Sequence, residues 1–197
     1  TFDGKIKACL LDSDCIIDST NIKQKSRMYL FNNILRGIEF RKVCIIMATP
    51  FLECLKNCKK SDYATKAYHD WETPGHWEGW DEIWLYYDKP EWIGLYGDTT
   101  EYAEKVWNDD QSSSNHSYGL GEHMSLTCDL IIDELYVSLE TNVLYKEELV
   151  EASLIHDCGK PLTKTFKKDG EAQYYNHHNV GSYEAMFFEY PNDVDVT

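Results

Sequence analysis

Lys42-Val43-Cys44-Ile45-Ile46-Met47-Ala48-Thr49-Pro50 is the stretch on which the fold turns. Its continuous apolar run suits a strand covered on both faces, and Thr49-Pro50 closes it before an amphipathic helix from about 51 to 60. Upstream, Cys15-Ile16-Ile17-Asp18 is a short strand-like run ending in an acid, and Ser19-Thr20-Asn21 are suited to cap a helix over 22–36. Downstream, a helical stretch near 62–72 leads to Glu82-Ile83-Trp84-Leu85-Tyr86-Tyr87, a further strand. Strands alternating with helices predict a parallel α/β sheet. The aromatic residues between 71 and 96 read as core and loop packing.

Beyond residue 100 the pattern changes. The segment 107–119 is polar and lacks apolar periodicity, so 101–120 reads as a linker. Residues 121–139 then place apolar side chains at 124, 128, 131 and 135, and 144–158 at 145, 149 and 152, in register with 156. No β-type alternation and no internal repeat occur there. The expected organisation is a partial α/β domain over 1–100, a linker over 101–120 and an all-α module over 121–197.

Composition sets the outer limits. With 197 residues, 43% of them apolar, the chain has material for a packed core, and no window approaches the ~18 apolar residues of a membrane span. Fibrous, disordered and membrane-spanning readings are excluded. Seven cysteines without a CxxC pair support neither a disulfide framework nor a zinc knuckle, which favours a reducing, cytoplasmic setting. The chain opens Thr1-Phe2-Asp3, with neither an initiator Met nor a signal segment, and is treated as a candidate fragment. Of the net charge of −15, residues 101–197 carry −13, whereas residues 1–61 are net +5. A strongly negative half repels a long polyanion unless bound cations intervene. The composition carries no signal for an oligomeric state.

Five of the seven histidines, at 116, 123, 156, 177 and 178, fall in that acidic half. His156-Asp157 ends a helix that Gly159 and Pro161 stop, and His156 shares a face with Leu149 and Ala152. A neutral imidazole beside a carboxylate offers the nitrogen and oxygen ligation that suits divalent manganese, iron, nickel or cobalt. His123, on one helical face with Leu126 and Leu130, can supply a second nitrogen. His156-Asp157-Cys158-Gly159-Lys160-Pro161, with His123 thirty-three residues earlier and Tyr175-Asn176-His177-His178-Asn179-Val180-Gly181 after it, resembles the HD-domain metal-dependent phosphohydrolases over about 114–190.

The resemblance implies a metal-dependent phosphohydrolase acting on nucleotides or phosphorylated nucleic-acid ends. His123, His156 and Asp157 match its metal ligands, and His177 matches a later histidine that holds a second metal or the substrate phosphate. Lys160 matches a phosphate-contacting lysine that, with Asp157, serves catalysis, and His178 is a further substrate-side candidate. The family's closing Asp has no clear counterpart; Asp193 and Asp195 lie near its region.

Ile16-Ile17-Asp18-Ser19-Thr20-Asn21, Arg27, the run through Pro50 and Glu53-Cys54-Leu55 resemble the middle of P-loop kinases of the polynucleotide kinase type. That resemblance makes Asp18, Asn21 and Arg27 substrate-binding candidates. No GxxxxGK[ST] sequence occurs, so magnesium and ATP enter only if a P-loop lies upstream of Thr1, and kinase activity by this chain is not expected. The alternative is a non-catalytic nucleotide or nucleic-acid binding protein, or a scaffold, that keeps both folds.

Overall fold

A computed structural model of the chain describes residues 15–17, 22–34, 36–37, 39–114, 116–137 and 146–190. The apolar run forms β1 (Val43–Ala48), which pairs in parallel with β2 (Glu82–Tyr87), Val43 opposite Glu82 and Ala48 opposite Tyr87. Two helices make the crossover, α2 (Phe51–Asn57) and α3 (Ser61–His69), and Phe51 stacks on Tyr68 between them. Helix α1 (Gln24–Tyr29) precedes β1 and runs into a π-helical turn, Leu30–Ile34. The fold is mixed α/β, and no helix among the described residues is long and apolar enough to cross a membrane.

Two expectations for this half need correction. Residues 15–17 form no strand; Ile16 is 95% exposed, while Cys15 and Ile17 pack against Leu30 and Ile34. Among the described residues, strand β1 is covered on one face rather than two. Ile46 and Ala48 are buried with Trp92, Met186 and Phe187, but Ile45 and Met47 are more than half exposed, beside Trp84 and Tyr86 across the register. Trp71 and the turn at Met186 and Phe187 both pack on the Ile46 side, and among the described residues the Ile45 and Met47 side is left open.

The stretch expected as a linker is partly helical. Asp98 caps α4 (Thr99–Lys105) by accepting a hydrogen bond from the Glu101 amide at 2.8 Å, and Ala103 and Val106 are buried against Leu120 and Met124 of α5 (Leu120–Val137). Gly121 permits this contact, because a Cβ there would lie 2.0 Å from the Ala103 carbonyl oxygen. Met124 and Cys128 face inward beside it, whereas Leu126 and Leu130, expected to share the face of His123, are exposed.

Helix α6 (Lys146–Ile155) packs on α4 and α5. A turn over 156–159 leads into α7 (Lys160–Thr163), and α8 (His177–Glu184) ends in a 3₁₀ turn, Ala185–Phe187. Between α7 and α8 an antiparallel hairpin, β3 (Lys164–Phe166) with β4 (Ala172–Tyr174), corrects the all-α expectation. Three-residue strands are too short for alternation to show.

The charge boundary near residue 100 is not a packing boundary. Met186 and Phe187 complete the core of the parallel sheet, the Tyr183 hydroxyl donates to the Thr49 carbonyl at 2.8 Å, and Tyr68 and Tyr96 donate to the buried Glu184 carboxylate. Burial pushes the Glu184 carboxyl up, more than those hydroxyl donors pull it down. A raised carboxyl stabilises the fold in acid, and that stabilisation is lost as pH rises through its folded-state value. Wild type should therefore lose unfolding free energy relative to Glu184→Gln as pH climbs from acid to neutral in denaturant titrations. A difference that stays constant with pH would remove Glu184 as the responsible group.

Candidate metal centre

The site is assembled where α5, the turn after α6, and the start of α8 meet. Asp157 lies at its centre, with only 6% of its side chain exposed. His156 Nε2 sits 3.2 Å and His123 Nε2 3.3 Å from Asp157 Oδ2, and the two nitrogens are 3.3 Å apart. His177 Nε2 faces the other carboxylate oxygen, Oδ1, at 3.3 Å.

The far side of two rings decides what the near side presents. His156 Nδ1 is 2.8 Å from the Ser153 carbonyl oxygen, and His177 Nδ1 is 2.8 Å from that of Tyr174. A carbonyl only accepts, so both Nδ1 atoms carry a proton, and the second nitrogen of each ring, Nε2, is the one left facing Asp157. Lone pairs facing one another and a carboxylate repel unless a proton or a cation lies between them. Two ligands each ~2.1 Å from one ion stand roughly 3.0–3.4 Å apart at octahedral to tetrahedral angles. The triangle of His123 Nε2, His156 Nε2 and Asp157 Oδ2 has those edges, and the group can hold a metal ion. Backbone carbonyls orienting the ligating rings are the usual outer support of such a site.

Gly159 brings α8 to the turn. A Cβ at Gly159 would lie 2.1 Å from the His177 carbonyl oxygen and 2.5 Å from the Gly181 nitrogen, so only glycine allows the approach that places His177 on Asp157. Asn176, in the left-handed region at φ 57°, starts the helix, and its side-chain amide and that of Asn179 donate to the His69 carbonyl at the end of α3. The first half of the chain thereby fixes the direction of α8.

Charge follows from this packing. Burial pushes the Asp157 carboxyl up, but hydrogen bonds from His156 and Lys160 outweigh it and hold Asp157 well below the usual carboxylate range. His156 is raised, chiefly by its hydrogen bond to Asp157, whereas burial lowers His123 despite the same carboxylate.

The remaining predicted residues are placed unequally. Lys160, expected to face phosphate, is 5% exposed; its ammonium lies 2.7 Å from Asp157 Oδ2 and 2.7 Å from Gln111 Oε1. His178 is exposed, with its ring 5.8 Å from that of His177. Arg27 lies in the other half and is buried in a two-pronged pair with Glu78, at 2.7 and 2.6 Å, so its charge is already matched. Asp18, Asn21, Asp193 and Asp195 lie outside the described residues. Arg27 borders a cavity of about 460 Å³ whose walls include Ile46, Phe51, Trp71 and Trp80, an apolar lining that offers little to a phosphate.

Sequence reading missed Gln111 and left His116 without a role. The His116 ring is 6.0 Å from that of His123, and burial, followed by the nearby Lys160 charge, lowers its pKa. Membership of the histidine cluster was its signal; Gln111, in a polar run, had none. No protein-family model, curated protein or solved structure matches the chain.

Proposed function

We propose that the chain is an HD-type, metal-dependent phosphohydrolase, acting on nucleotides or phosphorylated nucleic-acid ends. The observation that carries this reading is the triangle of His123 Nε2, His156 Nε2 and Asp157 Oδ2, with edges of 3.2 to 3.3 Å. The two-nitrogen, one-oxygen set suits manganese, iron, nickel or cobalt. His123, His156 and Asp157 hold the ion, and His177 stands on the opposite carboxylate oxygen, facing the substrate side or a second ion. When bound, the ion supplies Lewis-acid charge for phosphoryl oxygens and acidifies water. Ser153 and Tyr174 keep the histidine lone pairs aimed inward, and the Lys160 ammonium offsets negative charge beside Asp157. The acidic second half favours small or terminal phosphates over long duplexes. The apolar cavity and the Arg27–Glu78 pair fit a supporting role for the first half.

Metal content by plasma mass spectrometry, on protein purified without chelator, tests the centre. Roughly one or two transition-metal ions per wild-type chain are expected, with loss in His156→Ala, followed by phosphate release from nucleotides or end-phosphorylated oligonucleotides. Wild-type protein that stays metal-free after supplementation would sink the reading. The buried Lys160 ammonium favours a second one, a metal-holding but non-catalytic binding protein. Full metal content without phosphate release would select it.

A further inference from the structure

The segment expected as a linker reaches the centre of the site through one side chain. Gln111 is 4% exposed, and its Oε1 accepts from Lys160 Nζ at 2.7 Å while its Nε2 donates to the Tyr118 carbonyl at 3.2 Å. Lysine only donates and a carbonyl only accepts, so the amide cannot flip without breaking both bonds. The backbone around it is clamped to the β3–β4 hairpin. The Tyr174 hydroxyl donates to the Gln111 carbonyl, the Ala172 amide to the Ser112 carbonyl at 2.8 Å, and Lys164 Nζ to the Asp110 carbonyl. Ser112 sits at φ 47°, in the left-handed region that a serine rarely adopts, so these bonds impose its conformation. Lys160 Nζ also lies 5.5 Å from the Tyr174 ring centroid, within cation–π range.

Resting on the metal-centre reading, we propose that Gln111 is a positioning residue, which holds the Lys160 ammonium on Asp157 Oδ2 and so fixes the carboxylate that His123, His156 and His177 surround. A carboxylate turns freely about its last bond unless its oxygens are engaged. The Lys160 contact at 2.7 Å is the shortest of the four made to Asp157, and Lys160 is itself held from behind by Gln111. Oδ2 then faces His123 and His156, and Oδ1 faces His177.

Two readouts on the full chain test this, one of them independent of metal. Gln111→Met keeps the volume and removes the acceptor; Gln111→Glu keeps an acceptor for Lys160 and removes the donor to Tyr118. In metal-free protein, acetylation mapped by peptide mass spectrometry should rise severalfold at Lys160 in Gln111→Met, with other lysines unchanged, and stay near wild type in Gln111→Glu. Cobalt affinity, from visible absorption, should fall about tenfold in Gln111→Met, the lower end for loss of an outer support. Unchanged Lys160 labelling overturns the proposal, as does raised labelling with unchanged cobalt affinity. Wild-type protein that binds no cobalt sinks the metal-centre reading instead, and the labelling then decides alone whether Gln111 holds Lys160.

Discussion

Asp157→Asn is expected to abolish cobalt binding and to destabilise the metal-free protein in the same step. The carboxylate is the one group that all three histidines and Lys160 share, and Lys160 and Asp157 each have only 6% of their side chain exposed. Removing the negative partner leaves a buried ammonium facing a neutral amide. Breaking a buried pair from one side costs about 3–5 kcal/mol, and the lower end applies here because Gln111 still accepts one hydrogen bond from Lys160. Asp157→Asn/Lys160→Met removes the stranded charge as well and should recover most of that loss without recovering cobalt. Urea unfolding with and without cobalt measures both effects. Cobalt affinity in Asp157→Asn within threefold of wild type would remove Asp157 from the ligand set.

The triangle that can hold a metal was legible because its members lie near the ends of periodic helices. His156-Asp157 followed by Gly159 and Pro161 marks a helix end, and His123 opens α5, so two helix termini meeting bring the three together. His177 depended on contact without side chains, the approach of α8 to Gly159, and no periodicity announces it. The fate of Lys160 was not legible. The family resemblance implies a phosphate-facing Lys160, whereas its burial depends on Gln111, forty-nine positions away in a polar run. Strands β1 and β2 stood out as apolar runs, whereas β3 and β4, three residues each, did not. Helix α4 was hidden because its buried residues, Thr99 and Ala103, are few, and its apolar side, with Val106 just after it, exists only against Leu120 and Met124.

Charge and hydropathy place a boundary near residue 100 that the packing does not respect, and Phe187→Ala measures the consequence. Phe187 is fully buried, lies in the 3₁₀ turn that follows α8 and packs with Ile46 and Ala48 of the parallel sheet. Truncation leaves a cavity under β1 and costs about 3–5 kcal/mol. At roughly 2–4 °C per kcal/mol for a chain of this size, the melting temperature should fall by about 10 °C. The same residue follows α8, which carries His177, so loss of the core contact should loosen the site. Tryptophan fluorescence reports the sheet core through Trp71 and Trp92, and cobalt absorption reports the histidines. If one core joins the halves, both signals in cobalt-loaded protein unfold in a single transition that shifts as a unit in Phe187→Ala. A cobalt signal that outlasts the tryptophan transition would show that the acidic half holds its histidines without the sheet. Glu184, one turn before Phe187, would then accept from Tyr68 across a dispensable contact rather than across the shared core.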